Sequence, residues 1–264
     1  MRKIVLFDMD GTLTPPREPL DYNLVETLAE TCKYAEIGIV SGSDYDYIMQ
    51  QCGFLTTKDD IKLKLHILPC NGTKHYAPPS YRDQIHKLAY KENMRRTLGD
   101  PDFNTILKKL IDYQNHIVSH YDIPLTGHFI SYRESMINWC PIGRNALNSD
   151  RDKFANFDKS FGTSTFRRTL LEQMREEFQN ARIPVEIKLG GETSFDIYPS
   201  GWDKTFAMQH FPDSKIYFLG DRCGDNGNDK ELFDLLQPEC SFWVDDTNHT
   251  REILETILNP KLRE

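Results

Sequence analysis

No run of apolar residues in this 264-residue chain approaches the roughly 20 needed to cross a bilayer. It also lacks an excess of positive charge. With 32 Lys and Arg against 40 Asp and Glu, a net charge of −8, the broad basic footprint of a nucleic-acid binder is missing, although a local basic pocket is compatible with an acidic protein. Cysteine is scattered: Cys32, Cys52, Cys70, Cys140, Cys223 and Cys240 include no C-x-x-C pair and no histidine in zinc-finger register, which reads as free thiols in a reducing compartment. There is no signal-peptide pattern at the start, no internal repeat and no low-complexity segment. The expectation is a soluble, cytoplasmic protein that binds neither nucleic acid nor membrane, with length for one large domain or two modest ones.

What the chain does have begins almost at once. Ile4-Val5-Leu6-Phe7 is an apolar run short enough to be a buried strand, and Asp8-Met9-Asp10-Gly11-Thr12-Leu13-Thr14 follows it. In an open α/β sheet, ligands bind beyond the carboxyl ends of the strands, so Asp8 and Asp10 face a site and not a core. Two acids so close repel each other, and burying either as an anion is costly unless a cation or proton compensates. Mg2+ suits such a place, because it prefers oxygen ligands and often takes one or two carboxylates plus substrate phosphate.

Leu24, Val25, Leu28 and Ala29 then fall at helical spacing, and Ile37-Gly38-Ile39-Val40 reads as a second strand ending in Ser41-Gly42-Ser43-Asp44. A hydroxyl and exposed N–H groups at a helix start suit a phosphoryl oxygen. Ser41 aligns best with that role, Ser43 competes for it, and Ser43 or Asp44 also suits a helix cap. Leu65 to Leu68 is a third strand, closed by Pro69-Cys70-Asn71-Gly72. From about Tyr81 to Pro199 the alternation of short strands and helices stops. An amphipathic run, Phe103 to about His120, precedes strands His128 to Tyr132 and Met136 to Cys140; a helix Thr165 to Gln179 precedes strands Val185 to Leu189 and Ser194 to Tyr198. That pattern predicts an inserted α+β unit, with hinges near Pro78-Pro79 and Pro199-Ser200-Gly201. The expected division is residues 1–81 and 200–264 for the core and 82–199 for the insertion. Afterwards Lys204 opens a helix, Ile216 to Leu219 is a buried strand, Asp221 stands at its end as Asp8 does at the first, and Phe242 to Val244 makes the last strand. Carboxylates for a cation, a lysine as fixed charge, and hydroxyl and amides for phosphate thus converge on one rim.

The Asp-x-Asp-Gly-Thr element resembles the signature of the haloacid dehalogenase-like phosphotransferases. Taken with Pro15-Pro16-Arg17, Asn138-Trp139-Cys140-Pro141-Ile142-Gly143-Arg144, Gly190-Gly191-Glu192-Thr193-Ser194-Phe195-Asp196 and Gly201-Trp202-Asp203-Lys204, it resembles the eukaryotic-type phosphomannomutases over nearly the whole chain. The resemblance implies a doubly wound, Rossmann-like parallel sheet with an inserted α+β cap. It implies interconversion of mannose 6-phosphate and mannose 1-phosphate, feeding GDP-mannose synthesis, with Mg2+, a hexose 1,6-bisphosphate primer and a homodimer joined through the caps. By the same resemblance Asp8 is the nucleophile and Asp10 the proton donor and acceptor. Asp8, the backbone oxygen of Asp10, and Asp221 hold the metal; Arg17, Ser41, Arg133, Arg144, Arg151, Ser194, Asp196 and Asn228 bind substrate; Lys204 completes the catalytic set. Guanidinium forks do bind phosphate through paired, charge-assisted hydrogen bonds.

The chain departs from the family around Gly224-Asp225-Asn226-Gly227-Asn228-Asp229, which keeps only the Gly-Asn-Asp, and at Phe233-Asp234-Leu235, whose acid is out of register for a second cation site. Tyr81 to Asp100 also matches poorly. Two rival readings are a sugar-phosphate phosphatase with the same core and a non-catalytic sugar-phosphate binder. The arginines of the insertion favour the mutase over the first, because a mutase needs a second phosphate site. The intact Asp8, Asp10, Lys204 and Asp221 set argues against the second.

Overall fold

The computed structural model describes residues 1–16, 18–162 and 164–264. Its strands, in chain order, are β1 (Arg2–Phe7), β2 (Glu36–Val40), β3 (Leu65–Leu68), β4 (Lys74–Ala77), β5 (Lys87–Lys91), β6 (Ile130–Tyr132), β7 (Ile137–Trp139), β8 (Val185–Gly190), β9 (Ser194–Pro199), β10 (Ser214–Gly220) and β11 (Ser241–Trp243). They form a seven-stranded sheet, β11-β10-β1-β2-β3-β4-β5, and a four-stranded sheet, β6-β7-β9-β8. The chain divides into two compact units, Met1–Lys91 with Trp202–Glu264, and Glu92–Gly201.

In the first unit, β11, β10, β1, β2 and β3 run parallel. Strand side chains alternate between faces, and β1 is apolar on both because both are covered. Val5 and Phe7 join the core containing Leu24, Val25 and Leu28 of the helix Tyr22–Thr31; Ile4 and Leu6 join the one containing Ala207, Phe211 and Leu232. Each such buried side chain contributes roughly 1.5–3 kcal/mol. These are the two covered faces of a doubly wound sheet.

The boundary of the insertion differs from the sequence expectation. Residues 82–91 belong to the first unit, where β5 pairs antiparallel with β4 and β4 with β3, so the sheet ends in an antiparallel hairpin. β5 is an edge strand with Lys87, Leu88, Ala89 and Lys91 exposed, so burial leaves no apolar pattern to read.

In the second unit, Ile137, Trp139, Phe195 and Ile197 are fully buried, and the amphipathic helices Asp100–His120 and Phe166–Asn180 bury Phe103, Ile106, Leu110 and Ile117, and Phe166, Leu170, Leu171, Met174 and Phe178. Trp139 stacks on Phe195 at 5.2 Å between centroids, and its indole N–H donates to Gln114 Oε1 of the first of these helices at 2.8 Å. The strand expected from His128 starts at Ile130, since His128 has φ 54° and cannot continue a ladder. A helix not foreseen from sequence, Asn148–Lys159, buries only Phe154 and Asp158. No helix among the described residues is long and apolar enough to cross a membrane.

Candidate active site

The site lies in the first unit at the switch point of its sheet. β1 pairs with β2 on one side and β10 on the other, and the crevice beyond their carboxyl ends is where such sheets bind ligands. Asp8 leaves β1 there, its N–H donating to Leu219 O at 2.9 Å, and the residue is buried. The next residues fold into a tight turn: Leu13 and Thr14 N–H both donate to Met9 O at 2.9 Å, and Gly11 N–H donates to Thr14 O at 2.7 Å. Gly11 takes φ 92°, and a Cβ on it would sit 2.7 Å from Asp221 Cγ. Only glycine lets the two strand-end loops approach so closely.

Lys204 opens the 3₁₀ helix Lys204–His210, capped by Asp203, whose carboxylate accepts from Thr205 N–H at 2.7 Å. Its ammonium donates to Asp8 Oδ1 and to Asp229 Oδ1, and the Lys204 and Asp229 side chains are wholly enclosed. Asp229 is fixed further by Arg222 N–H, which donates to its Oδ2 at 2.9 Å. Burial pushes the Asp8 carboxyl well above the ordinary range; Lys204 opposes this, while Asp229 and Asp221 add to it. Burial by itself would discharge Lys204, but Asp229 and Asp8 outweigh it and raise its pKa, keeping the ammonium charged. Asp221 is raised by burial and by Asp229, with Arg222 pulling the other way.

Carboxylate oxygens of Asp8, Asp221 and Asp229 lie within 4.8 Å of one another. Asp221 Oδ1 and Asn228 Oδ1 are buried without a hydrogen-bond partner among the described residues. Buried anionic oxygen, unpartnered at Asp221, with one ammonium among three carboxylates, is a donor set that fits a hard divalent cation. The Asp10 carboxylate lies outside this cluster and accepts from the Tyr47 hydroxyl at 3.3 Å.

Of the alternatives after β2, Asp44 is the helix cap, its Oδ1 accepting from Tyr47 N–H at 3.1 Å, and buried Ser41 accepts from Ser43 N–H at 3.1 Å. Asp234, the acid out of register, is in an ion pair with Lys230 at 2.8 Å.

Arg133, Arg144, Arg151, Ser194 and Asp196 belong to the second unit. Arg144 Nη1 donates to Asn138 Oδ1 at 3.1 Å; Asn138 Nδ2 donates to Asp196 Oδ1 at 2.7 Å and to Ser194 Oγ at 3.0 Å. Arg133 is buried and Arg151 lies in the first turn of the Asn148–Lys159 helix. Arg17 lies outside the described residues. Sequence reasoning missed Asp229 and Asn138 as members of these clusters. Asp229 had one signal, its place in the retained Gly-Asn-Asp, but its partner Lys204 is distant in sequence.

The arrangement defines a fold class first. The structure resembles an IMP-bound Plasmodium falciparum IMP-nucleotidase at TM-score 0.64, with 14% identity over 97% of this chain and 68% of that one. It also resembles a trehalose-6-phosphate phosphatase related protein at TM-score 0.55, with 14% identity over 99% of both chains. The likeness is one of fold, a doubly wound and mainly parallel α/β sheet carrying a second unit. The profile of eukaryotic phosphomannomutases matches residues 24–260. Phosphomannomutase from Arabidopsis thaliana is 36% identical over 88% of this chain and 87% of its own length, and phosphomannomutase 2 from Dictyostelium discoideum is 32% identical over 98% and 97%. The chain belongs to the eukaryotic phosphomannomutase family.

Proposed function

We propose that the protein interconverts mannose 6-phosphate and mannose 1-phosphate, passing the phosphoryl group through Asp8 and a hexose 1,6-bisphosphate, which also serves as primer. The observation that favours this over hydrolysis is the polar cluster of the second unit, Arg144 with Asn138, Asp196 and Ser194, which supplies groups for a phosphate and a sugar besides those around Asp8.

In this reading Asp8 attacks phosphorus in line. Lys204 places a fixed positive charge beside it, and Asp229 holds that ammonium in position. Mg2+, bound by Asp8, the backbone oxygen of Asp10, and Asp221, would neutralise phosphoryl charge. Ser41 and Asn228 bind the transferring phosphoryl group. Asp10 passes the proton to or from the sugar hydroxyl. Arg17, Arg133, Arg144 and Arg151 hold the phosphate that is not reacting, and Ser194 and Asp196 orient the sugar. A homodimer joined through the inserted units belongs to the same proposal; exposed Ile111 and Val118, on the helix Asp100–His120, offer apolar surface for it.

The test is incubation with mannose 1-phosphate, Mg2+ and a trace of glucose 1,6-bisphosphate. Mannose 6-phosphate should form with little inorganic phosphate. Phosphate release without isomerisation would replace this reading with a sugar-phosphate phosphatase.

A further inference from the structure

Ser131, Asn138, Asp196 and Lys188 are register partners across the four strands β6, β7, β9 and β8, so they form one row on one face. Their neighbours Ile137, Trp139, Phe195 and Ile197 point the other way into the apolar core. Asn138, 2% exposed, stands between Arg144 and the Ser194–Asp196 pair. Its amide orientation has one solution. A guanidinium only donates and a carboxylate only accepts, so turning the amide over would set donor against donor at Arg144 and acceptor against acceptor at Asp196.

We propose that Asn138 is a positioning residue for sugar-phosphate binding, fixing the Arg144 guanidinium through Oδ1 and the Asp196 and Ser194 oxygens through Nδ2, so that the cluster meets its ligand already ordered. This rests on the phosphate-binding reading of Arg144. An arginine side chain loses much rotational freedom when a ligand immobilises it, and holding it beforehand removes that part of the cost of binding. A neutral amide does so without cancelling the charge that attracts phosphate. Ser194 is secured from behind as well, donating its hydroxyl to Gly190 O at 2.7 Å.

The test is a double-mutant cycle in the full-length protein with Asn138→Leu, Arg144→Ala and both together. Asn138→Ala, which removes the same Oδ1 acceptor and Nδ2 donor with a smaller side chain, serves in the same cycle should Asn138→Leu not fold. The readouts are KM for mannose 1-phosphate in the mutase reaction and kcat/KM for hydrolysis of a small activated phosphate that reports only the Asp8 chemistry. The Asn138 variant should raise KM by about two- to tenfold, as expected when a side chain held beforehand must instead be ordered by the ligand. Activated-phosphate hydrolysis should be unchanged, and in the Arg144→Ala background the added substitution should raise KM little further. An unchanged KM, an equal loss with the activated phosphate, or the full increase persisting without Arg144 would each overturn the inference. If Arg144→Ala by itself left KM unchanged, the phosphate-binding reading would fail, and the inference with it.

Discussion

Lys204 and Asp229, 25 residues apart, form an ion pair in which neither side chain reaches solvent. Asp8 shares the same ammonium, so one cation serves two buried anions. Removing it leaves both carboxylates without a counter-charge. Lys204→Met should therefore abolish turnover and lower stability by about 3–5 kcal/mol, the usual consequence of breaking a buried pair from one side. Urea denaturation at pH 7 measures this; an unchanged midpoint would show that the carboxylates do not depend on Lys204.

Asp8→Asn should have the opposite signature. It removes the attacking oxygen anion but also one of three clustered negative charges, leaving Lys204 paired with Asp229. Phosphoenzyme formation should vanish while the unfolding midpoint stays at or above that of the parent. Retained turnover would reduce Asp8 to a ligand.

Asp10→Asn should separate substrates by leaving group. Phosphoenzyme formation from an activated phosphate should continue, whereas transfer from mannose 1-phosphate should fall by about 10²-fold or more, because only a sugar alkoxide needs a proton as it leaves. Equal losses with both substrates would remove the proton-transfer role.

Stability should fall in mild acid partly through His75. Burial, with His66 and His210 close by, lowers its pKa to about 3. Unfolded, it titrates at about 6.5. Between these values the unfolded chain binds a proton that the native state refuses, so stability is lost as pH falls from about 6.5 toward 3, with a slope reaching about 1.4 kcal/mol per pH unit. Glu36 extends the loss below its ordinary range: burial raises its pKa, but hydrogen bonds from His66 and Arg2 win and bring it to about 2. His75→Gln should flatten the profile between pH 6 and 4.5 as measured by urea midpoints. Parallel profiles for variant and parent would exclude His75 as the group responsible.

Two adjacent glycines should behave differently. A Cβ at Gly190 would lie 2.8 Å from Asp196 Oδ2 and 2.9 Å from Ser194 Oγ, so Gly190→Ala should raise KM for mannose 1-phosphate by about tenfold while activated-phosphate hydrolysis holds. Gly191 has open space around its Cβ position but φ 53°, so Gly191→Ala should cost about 1–2 kcal/mol of stability and leave KM alone. Matching effects at the two positions would mean that backbone strain, not the Asp196–Ser194 contact, decides both.

The parts of the fold legible in sequence were those where burial acts on consecutive residues. β1, β2, β3 and β10 are covered on both faces and show as short apolar runs, and their ends mark Asp8, Ser41 and Asp221. β5 was illegible because an edge strand buries almost nothing, and so was the helix Asn148–Lys159, whose polar sequence secures only Phe154 and Asp158. The site was legible where a residue's role follows from its place at a strand end. Asp229 acts through Lys204 and Asn138 holds Asp196, partners brought near only by folding, and no local pattern records such a partnership.

β1 is flanked on one side by β10, so Arg2–Phe7 pair with residues 214–220, which are synthesised long after them. At about 5–20 residues per second on the ribosome, the roughly 200 residues between them take on the order of 10–40 s to synthesise. The unit Glu92–Gly201 is contiguous and is complete before then. Throughout that interval one edge of an apolar strand stays open, with its backbone donors and acceptors able to template pairing with another nascent chain. The exposure belongs to biosynthesis and ends when β10 closes the sheet, the same event that brings Lys204, Asp221 and Asp229 to Asp8.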